Sequence, residues 1–111
     1  MLPKSQRLNL KKDFKWVAAG KKLETKYLKL FVKVGDNKLP RVGIAVSSKS
    51  FKKAVERNRA RRLTSAAFEA LYSSLSERLN ILALPKVGVI NVKSGDVLLD
   101  MEEGLKKGKI L

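Results

Sequence analysis

The sequence predicts an α+β fold, an α/β sandwich in which about three helices pack on a small mixed sheet. Apolar residues recur at helical spacing in three segments and alternate with a period of two in two others. A further run, 79–84, is almost entirely apolar, which is typical of a strand buried on both faces. The resulting order, αββαβ(β)α, has no internal repeat, and 111 residues are expected to form one domain over 1–111.

The first helix is predicted to run from Asn9, a favourable N-cap, to about Ala19, with Gly20 as its stop. Its apolar stripe consists of Leu10, Phe14, Val17 and Ala18. This spacing favours a core position for Phe14, with a role at a binding surface as the alternative. Trp16 projects from the opposite side, where it is available for stacking or for packing against the N-terminal tail.

The next two segments, 27–34 and 41–47, are predicted to pair as a hairpin around a turn at 35–38. Alternation assigns to the core Leu28, Leu30, Val32, Val34, Val42, Ile44 and Val46. The opposite face of the first strand carries Tyr27, Lys29, Phe31 and Lys33. This mixture predicts a partly solvated surface, or else a face that the first helix covers, with Phe31 buried.

A long helix is expected from Ala54 to about Leu75, because apolar residues again recur at helical spacing. Its predicted inward arc consists of Leu63, Ala66, Ala67, Ala70 and Leu71. The buried strand 79–84 follows and ends at Pro85.

The last part of the chain is predicted to form a second amphipathic helix, after a candidate short strand at 87–92. Asp96 is expected to cap this helix and Gly108 to end it. Its inward residues are Val97, Leu98, Met101 and Leu105.

The positive charge is concentrated in one part of the chain. The net charge is +15, from 25 Lys and Arg against 10 Asp and Glu. Residues 1–62 hold nineteen of the basic and four of the acidic residues, whereas residues 63–111 hold six of each. All of the excess therefore lies in the first 62 residues, which predicts a surface for a polyanion such as nucleic acid.

Several other classes of protein do not fit the composition. Cys and His are absent, which excludes disulfide scaffolds, thiolate metal sites and Ser-His arrangements. No apolar stretch approaches the roughly 20 residues of a membrane span, and no signal peptide begins the sequence. We expect a cytoplasmic protein with no membrane partner. The acids of residues 1–62 are widely scattered, so no catalytic or metal-binding residue is predicted.

The strongest candidate site is the segment 52–62 at the start of the long helix. Arginine binds phosphate in a bidentate manner, and asparagine can add hydrogen bonds to a base or sugar. Six basic residues and one acid within eleven positions repel one another unless a negative partner neutralises them; the alternative is a solvated cationic face. Arg59 falls on the apolar arc; its place in the first turn allows it to reach outward past the helix end, but the spacing does not decide whether it does. The candidate RNA-binding residues are Lys52, Lys53, Arg57, Asn58, Arg59, Arg61 and Arg62.

The second candidate site is the sheet face that combines aromatic rings with lysines. Single-stranded nucleic acid is commonly held by rings that stack on its bases, while nearby cations contact its backbone. The candidate residues for such a strand are Phe14, Trp16, Tyr27, Lys29, Phe31 and Lys33.

Residues 51–63, FKKAVERNRARRL, are followed by Ala67 and Phe68, and together they resemble the arginine-asparagine-arginine signature of the bacterial ribonuclease P protein component. The opening of the chain and the strand 42–47 are similar to the same family. The matching opening residues are Leu2, Pro3, Lys4, Arg7, Leu8, Asp13 and Phe14. The resemblance therefore covers residues 2–84 in the correct order.

The resemblance implies an accessory subunit, monomeric within a ribonucleoprotein whose RNA is the catalyst and holds the Mg²⁺. It implies binding to that RNA through the signature, and binding of the 5′ leader of precursor tRNA in a cleft that Phe14 and Phe31 line, with Lys29 on the same strand face. It also implies a fold like the second domain of ribosomal protein S5, with a left-handed βαβ crossover.

Three positions depart from the family pattern. Ala18 stands where a second aromatic residue is common, Ser65 where another basic residue is usual, and Ala60 where a larger aliphatic is found. A ribosomal or other structural RNA-binding protein is the alternative function. A DNA-binding regulator requires a compact helix-turn-helix, which a long helix following a strand does not offer.

Overall fold

The computed structural model describes residues 2–111, which contain three α-helices and one four-stranded sheet. The helices are α1 (Leu10–Ala18), α2 (Ala54–Leu71) and α3 (Ser94–Lys107). The strands are β1 (Lys21–Glu24), β2 (Leu28–Val34), β3 (Arg41–Ile44) and β4 (Leu79–Pro85). Short 3-10 turns lie at Lys4–Gln6, Tyr72–Ser74 and Val87–Asn91. The predicted α+β class with a mixed sheet is confirmed.

The sheet has the order β1-β2-β4-β3, so the prediction that 27–34 and 41–47 pair as a hairpin is wrong. β4 lies between β2 and β3, antiparallel to β2 and parallel to β3. The reason is burial, because β4 is apolar on both faces and takes a central position. Since β3 and β4 are parallel neighbours, α2 is the crossover that joins them. The left hand of that crossover stays a prediction.

The two faces of β4 belong to two apolar clusters. Ile81 and Ala83 pack in the main core with α2 and α3. Leu82 points the other way and packs with Leu8 and Val17 of the N-terminal segment and α1. The sheet is therefore covered by α2 and α3 on one side and by α1 on the other, and the prediction of a strand buried on both faces is confirmed.

Most of the predicted strand residues reach the main core. Buried or partly buried there are Leu28, Leu30, Val32, Val42, Ile44 and Val46. Val34 is 63% exposed, so its assignment to the core is wrong. It is the last residue of β2, where the helices no longer cover the sheet.

The helix α1 begins as predicted. The side-chain oxygen of Asn9 accepts hydrogen bonds from the backbone N–H groups of Lys11 and Lys12, at 3.2 and 3.4 Å. Val17 is fully buried against the sheet, whereas Phe14 is 38% exposed. The core position that spacing favoured for Phe14 is therefore wrong, and its ring borders solvent at the edge of α1.

The helix α2 buries a different arc from the one predicted. Its buried residues are Ala60, Thr64, Ser65, Ala67, Phe68 and Leu71. Ala66 and Ala70 are exposed, because Phe68 is far larger than either and its burial rotates the helix towards it. Thr64 can be buried because its hydroxyl donates a hydrogen bond to the Ala60 carbonyl at 2.8 Å.

β1 has no counterpart in the sequence-based prediction. It is a four-residue edge strand, and Leu23 is its only apolar residue, so it carries no periodic signal. The predicted short strand at 87–92 is a 3-10 turn instead. The chain turns directly after β4, and this turn closes with a hydrogen bond from the Val89 N–H to the Lys86 carbonyl at 3.0 Å.

The helix α3 starts earlier than predicted, with Lys93 rather than Asp96 as its N-cap. The Asp96 carboxylate lies in the first turn of the helix and accepts a hydrogen bond from the Lys93 N–H at 3.1 Å, which is the half of a capping box that the third helical residue supplies. Val97, Met101 and Leu105 are fully buried as predicted.

The start of β2 is fixed by α3. The Asp100 carboxylate accepts hydrogen bonds from the N–H groups of Lys26 and Tyr27, at 3.1 and 2.9 Å, and from the Thr25 hydroxyl. Such charge-assisted bonds hold the β1–β2 turn in one conformation. The strand that carries Lys29, Phe31 and Lys33 is thereby anchored at the end where it begins.

Candidate nucleic-acid interface

The predicted cationic segment forms an exposed surface at the N-terminal end of α2. Lys52 and Lys53 are exposed immediately before the helix. One turn further, a groove is lined by Val55, Asn58, Arg61, Arg62 and Ser65. The free N–H groups and dipole of the helix N-terminus add positive potential to the same end. This arrangement attracts phosphate groups.

Two of the signature arginines also bind the protein's own backbone. Arg57 donates from Nη1 to the carbonyls of Phe51 and Lys52, at 2.8 and 3.1 Å, and so fixes the loop before α2. Arg59 donates from Nε to the Ile90 carbonyl at 2.9 Å and from Nη2 to the Val92 carbonyl at 3.4 Å. Arg59 therefore reaches the segment that joins β4 to α3 instead of extending freely past the helix end.

The remaining signature residues point into the groove. Arg61 donates a hydrogen bond from Nη1 to the side-chain oxygen of Asn58 at 3.3 Å, which orients the asparagine. Arg62 is exposed beside them. Ser65 is almost fully buried and lines the floor of the groove. This chain therefore has a small polar side chain at the position where the resembled family usually has a basic residue.

The second predicted surface is the sheet face under α1. The strand registers place Lys22, Phe31, Leu82 and Gly43 in one row across this face. A Cβ on Gly43 would lie 2.9 Å from the Leu10 side chain, so the glycine allows α1 and its N-terminal segment to approach the sheet closely. Phe31 is half-buried against Leu82, which means that α1 covers it only in part.

Lys29 lies one row further along this face, and its side chain is exposed. It lines a groove together with Ala45, Ser47, Ser50, Leu84, Pro85, Lys86 and Val87. The groove is open because the segment after β3 lines it with small residues, Ala45, Ser47 and Ser50. A cationic groove beside a half-buried ring is a suitable surface for a single strand of nucleic acid.

Tyr27 does not share this surface. It precedes β2 and packs, partly buried, against the main core on the side of α2 and α3. Its N–H is held by Asp100, and the Lys26 ammonium lies 5.5 Å from the centroid of its ring. The prediction that Tyr27 projects from the same face as Lys29 and Phe31 is therefore wrong, because the strand's alternation begins only at Leu28.

Trp16 and Phe14 lie on opposite sides of α1, since two residues correspond to about 200° of helix rotation. Trp16 is 39% exposed, and the Lys33 ammonium lies 4.9 Å from the centroid of its ring. It lines a separate pocket with Asp13, Asp36, Asn37, Arg41 and Asn80. Trp16 and Lys29 thus line two separate grooves.

No group of three or more Asp, Glu, His or Cys residues that could hold a metal ion is found within residues 2–111. The same described part of the chain has no helix long and apolar enough to cross a membrane. The surfaces described above are suited to binding, through cations, rings and amides.

An α+β sandwich with an exposed cationic crossover helix and a cationic sheet face is the arrangement of an RNA-binding protein. The family model described as Ribonuclease P matches residues 2–109. The chain belongs to this family, whose members take part in a ribonuclease holoenzyme and in tRNA processing.

Relatives of this chain carry the same description. It is 34% identical to the ribonuclease P protein component of a Pseudanabaena species, over 100% of this chain and 97% of the relative. It is 32% identical to the ribonuclease P protein component of Nitrosococcus oceani, over 81% of this chain and 76% of the relative.

Solved structures agree on the fold. A Staphylococcus aureus RNase P protein mutant with defective mRNA degradation activity superimposes with a TM-score of 0.84 at 21% identity, covering 97% of this chain and 92% of that one. The RNase P protein from Thermotoga maritima gives a TM-score of 0.79 at 24% identity, covering 91% and 96%.

The contacts of the arginines predict different effects on stability. Replacing Arg59 with Ala removes hydrogen bonds to two carbonyls, so we expect the free energy of unfolding to fall by about 1 kcal/mol. Replacing the exposed Arg62 with Ala is expected to change it by less than about 0.5 kcal/mol. Urea unfolding followed by circular dichroism measures both values. Equal losses for the two variants would contradict a structural role specific to Arg59.

Proposed function

We propose that this chain is the protein subunit of a ribonuclease P holoenzyme. In this proposal it binds the catalytic RNA and the 5′ leader of precursor tRNA, and it assists the endonucleolytic removal of that leader. The observation that carries the proposal is the charge distribution. The whole excess of +15 lies in the 62 residues that build the start of α2 and most of the sheet face, which are the exposed cationic surfaces.

The groove on α2 is the proposed contact with the catalytic RNA. Asn58, Arg61 and Arg62 line one continuous surface there, and Lys52 and Lys53 extend it beyond the helix end. The guanidinium groups of the arginines can bind phosphates in a bidentate manner, and the asparagine adds a polar contact to a sugar or base. Arg57 and Arg59 contribute charge to this surface and also fix the loops that flank it.

The groove beside Lys29 is the proposed contact with the leader. An unpaired strand presents bases and phosphates at the same time, and this surface offers a half-buried ring at Phe31 next to an exposed ammonium at Lys29. Phe14, which is exposed at the edge of α1, is the second ring that we assign to the leader. Stacking on such rings stabilises single strands by about 1–3 kcal/mol per base without strong sequence preference.

The proposed division of labour follows from what these residues can do chemically. Ammonium and guanidinium groups neutralise phosphates, and aromatic rings hold bases, but neither group activates water at neutral pH. Hydrolysis of the phosphodiester bond is assigned to the RNA partner and its Mg²⁺. The protein lowers the repulsion between two polyanions, and substrate therefore binds at a lower concentration of magnesium.

Salt dependence tests the proposed role of the α2 groove. A double substitution, Arg61→Ala with Arg62→Ala, should reduce the slope of log affinity against log salt by about 1.4 to 1.8 for the catalytic RNA, because each phosphate contact contributes about 0.7–0.9. The measurement is fluorescence anisotropy of labelled RNA from low to physiological salt.

The matched control for this experiment is Lys106→Ala with Lys107→Ala, which removes two charges from the C-terminal end of α3. We expect this control to leave the slope unchanged. Equal changes in slope for the two double variants would show that only net charge matters, and would remove the α2 groove from the proposal.

The leader groove is tested by comparing two substrates. Phe31→Ala should weaken binding of leader-bearing precursor tRNA by about fivefold or more in the holoenzyme, because a stacking ring is lost. Binding of mature tRNA, which has no leader, should change little. Phe31→Leu is the control for packing, since leucine fills the cluster with Leu82 and Val17 but provides no ring face. Equal losses for precursor and mature tRNA would contradict the assignment.

A further inference from the structure

A second pocket lies on the opposite side of α1 from the Phe14 edge. Its walls are the exposed part of Trp16, two carboxylates, the Arg41 guanidinium and the amides of Asn37 and Asn80. The indole is held from one side, because the Lys33 ammonium lies 4.9 Å from its centroid. Gly35 lets the ring edge approach the backbone closely, since a Cβ there would lie 2.8 Å from the indole carbon Cη2. The exposed part of the ring remains open to a flat ligand.

The carboxylates of this pocket are unusual for the surface in which they lie. Residues 1–62 contain only four acids, and two of them, Asp13 and Asp36, line this pocket although they are 23 positions apart in the sequence. Within residues 2–111, neither forms an ion pair or accepts a hydrogen bond. Asp13 lies in the first turn of α1, where an acid stabilises the helix dipole. No comparable contact accounts for Asp36.

The turn that presents Asp36 is rigid. The side-chain nitrogen of Asn37 donates to the Leu39 carbonyl at 2.6 Å, and the side-chain nitrogen of Asn80 donates to the Asn37 side-chain oxygen at 2.8 Å. The Gly35 N–H donates to the Arg78 carbonyl at 2.9 Å. Asn80 is only 3% exposed, so the turn is tied to the interior of the sheet. The backbone of such a turn needs little ordering on binding.

We propose that this pocket binds one unpaired nucleobase, stacked on Trp16 and selected for an exocyclic amino group by Asp36. A carboxylate only accepts hydrogen bonds, so it pairs with the amino groups of cytosine, adenine or guanine. At the position where cytosine carries its amino group uracil carries the O4 carbonyl, which repels a carboxylate, and its single ring donor, N3–H, lies between two carbonyls. Arg41, which is exposed at the rim, supplies a donor for a ring nitrogen or for the adjacent phosphate.

The hydrogen-bonding groups of the pocket support a base over a phosphate as the occupant. Its two carboxylates only accept hydrogen bonds, which a phosphate does not donate, whereas an amino-bearing base edge carries donors for them. This inference rests on the proposed binding of a single-stranded leader. It adds a second contact to that strand and a preference for certain bases, which the groove beside Lys29 alone does not provide.

The chain contains a single tryptophan, so its fluorescence reports this pocket alone. Titrating the full-length protein with unlabelled oligocytidylate should quench the emission as the base stacks on the indole. Anisotropy of labelled oligonucleotides, measured in parallel, gives the affinity. We expect oligocytidylate to bind about three to ten times more tightly than oligouridylate, the effect of one additional hydrogen bond.

Two substitutions separate the contributions of the ring and the carboxylate. Asp36→Asn gives the side chain a donor as well as an acceptor, so the preference for cytidine over uridine should fall to about one. Glu56→Gln, which removes the same charge on α2, is the control and should preserve the ratio. Trp16→Ala should weaken binding of both oligonucleotides about fivefold or more, through the loss of stacking.

The outcomes distinguish this inference from the proposed function. If oligonucleotides bind with unchanged tryptophan emission and an equal affinity for cytidine and uridine, the pocket proposal is overturned while leader binding stands. If neither oligonucleotide binds and the holoenzyme does not distinguish precursor from mature tRNA, the proposed function itself fails. The role of Asp36 would also be overturned if Asp36→Asn and Glu56→Gln changed the ratio of oligocytidylate affinity to oligouridylate affinity equally.

Discussion

The burial of β4 on both of its faces is the constraint from which the rest of the architecture follows. Because Ile81 and Ala83 require one apolar layer and Leu82 requires another, the strand must lie in the middle of the sheet with helices on both sides. β2 and β3 are therefore separated, α2 becomes a crossover, and α1 is drawn onto the opposite face. Two separate surfaces are created in this way, one at the end of the crossover helix and one around α1.

Cationic residues lie on both of these surfaces. On α2, the buried arc around Phe68 turns the signature residues Asn58, Arg61 and Arg62 outwards, while Arg57 and Arg59 hold the neighbouring loops. On the sheet, α1 packs on the face that carries Phe31 and Leu82. A cationic groove at Lys29 and a pocket with two carboxylates at Trp16 are separate features of this part of the molecule.

Much of this arrangement can be predicted from the sequence, and the failures have physical causes. The cap at Asn9, the buried strand β4 and the cationic segment depend on local patterns, and the structure contains all three.

The pairing of β2 with β4 depends on contacts between distant residues, which alternation cannot reveal. β1 has too few apolar residues to show a period. The opposite placement of Phe14 and Trp16 on α1 follows from their spacing, but what each side of the helix faces depends on the position of the sheet, which distant contacts decide. The pocket of Asp36 required residues from α1, from the turn after β2, from β3 and from β4, and no sequence motif joins them.

The central claim is that this protein assists an RNA catalyst and does not itself cleave the substrate. The most direct measurement is cleavage of precursor tRNA across a magnesium series by a bacterial ribonuclease P RNA, by the protein alone, and by the two together. The account predicts no cleavage by the protein alone, and a clear shift of the RNA-dependent reaction to lower magnesium when the protein is added. Cleavage by the protein without RNA, or a magnesium dependence that the protein leaves unchanged, would contradict it.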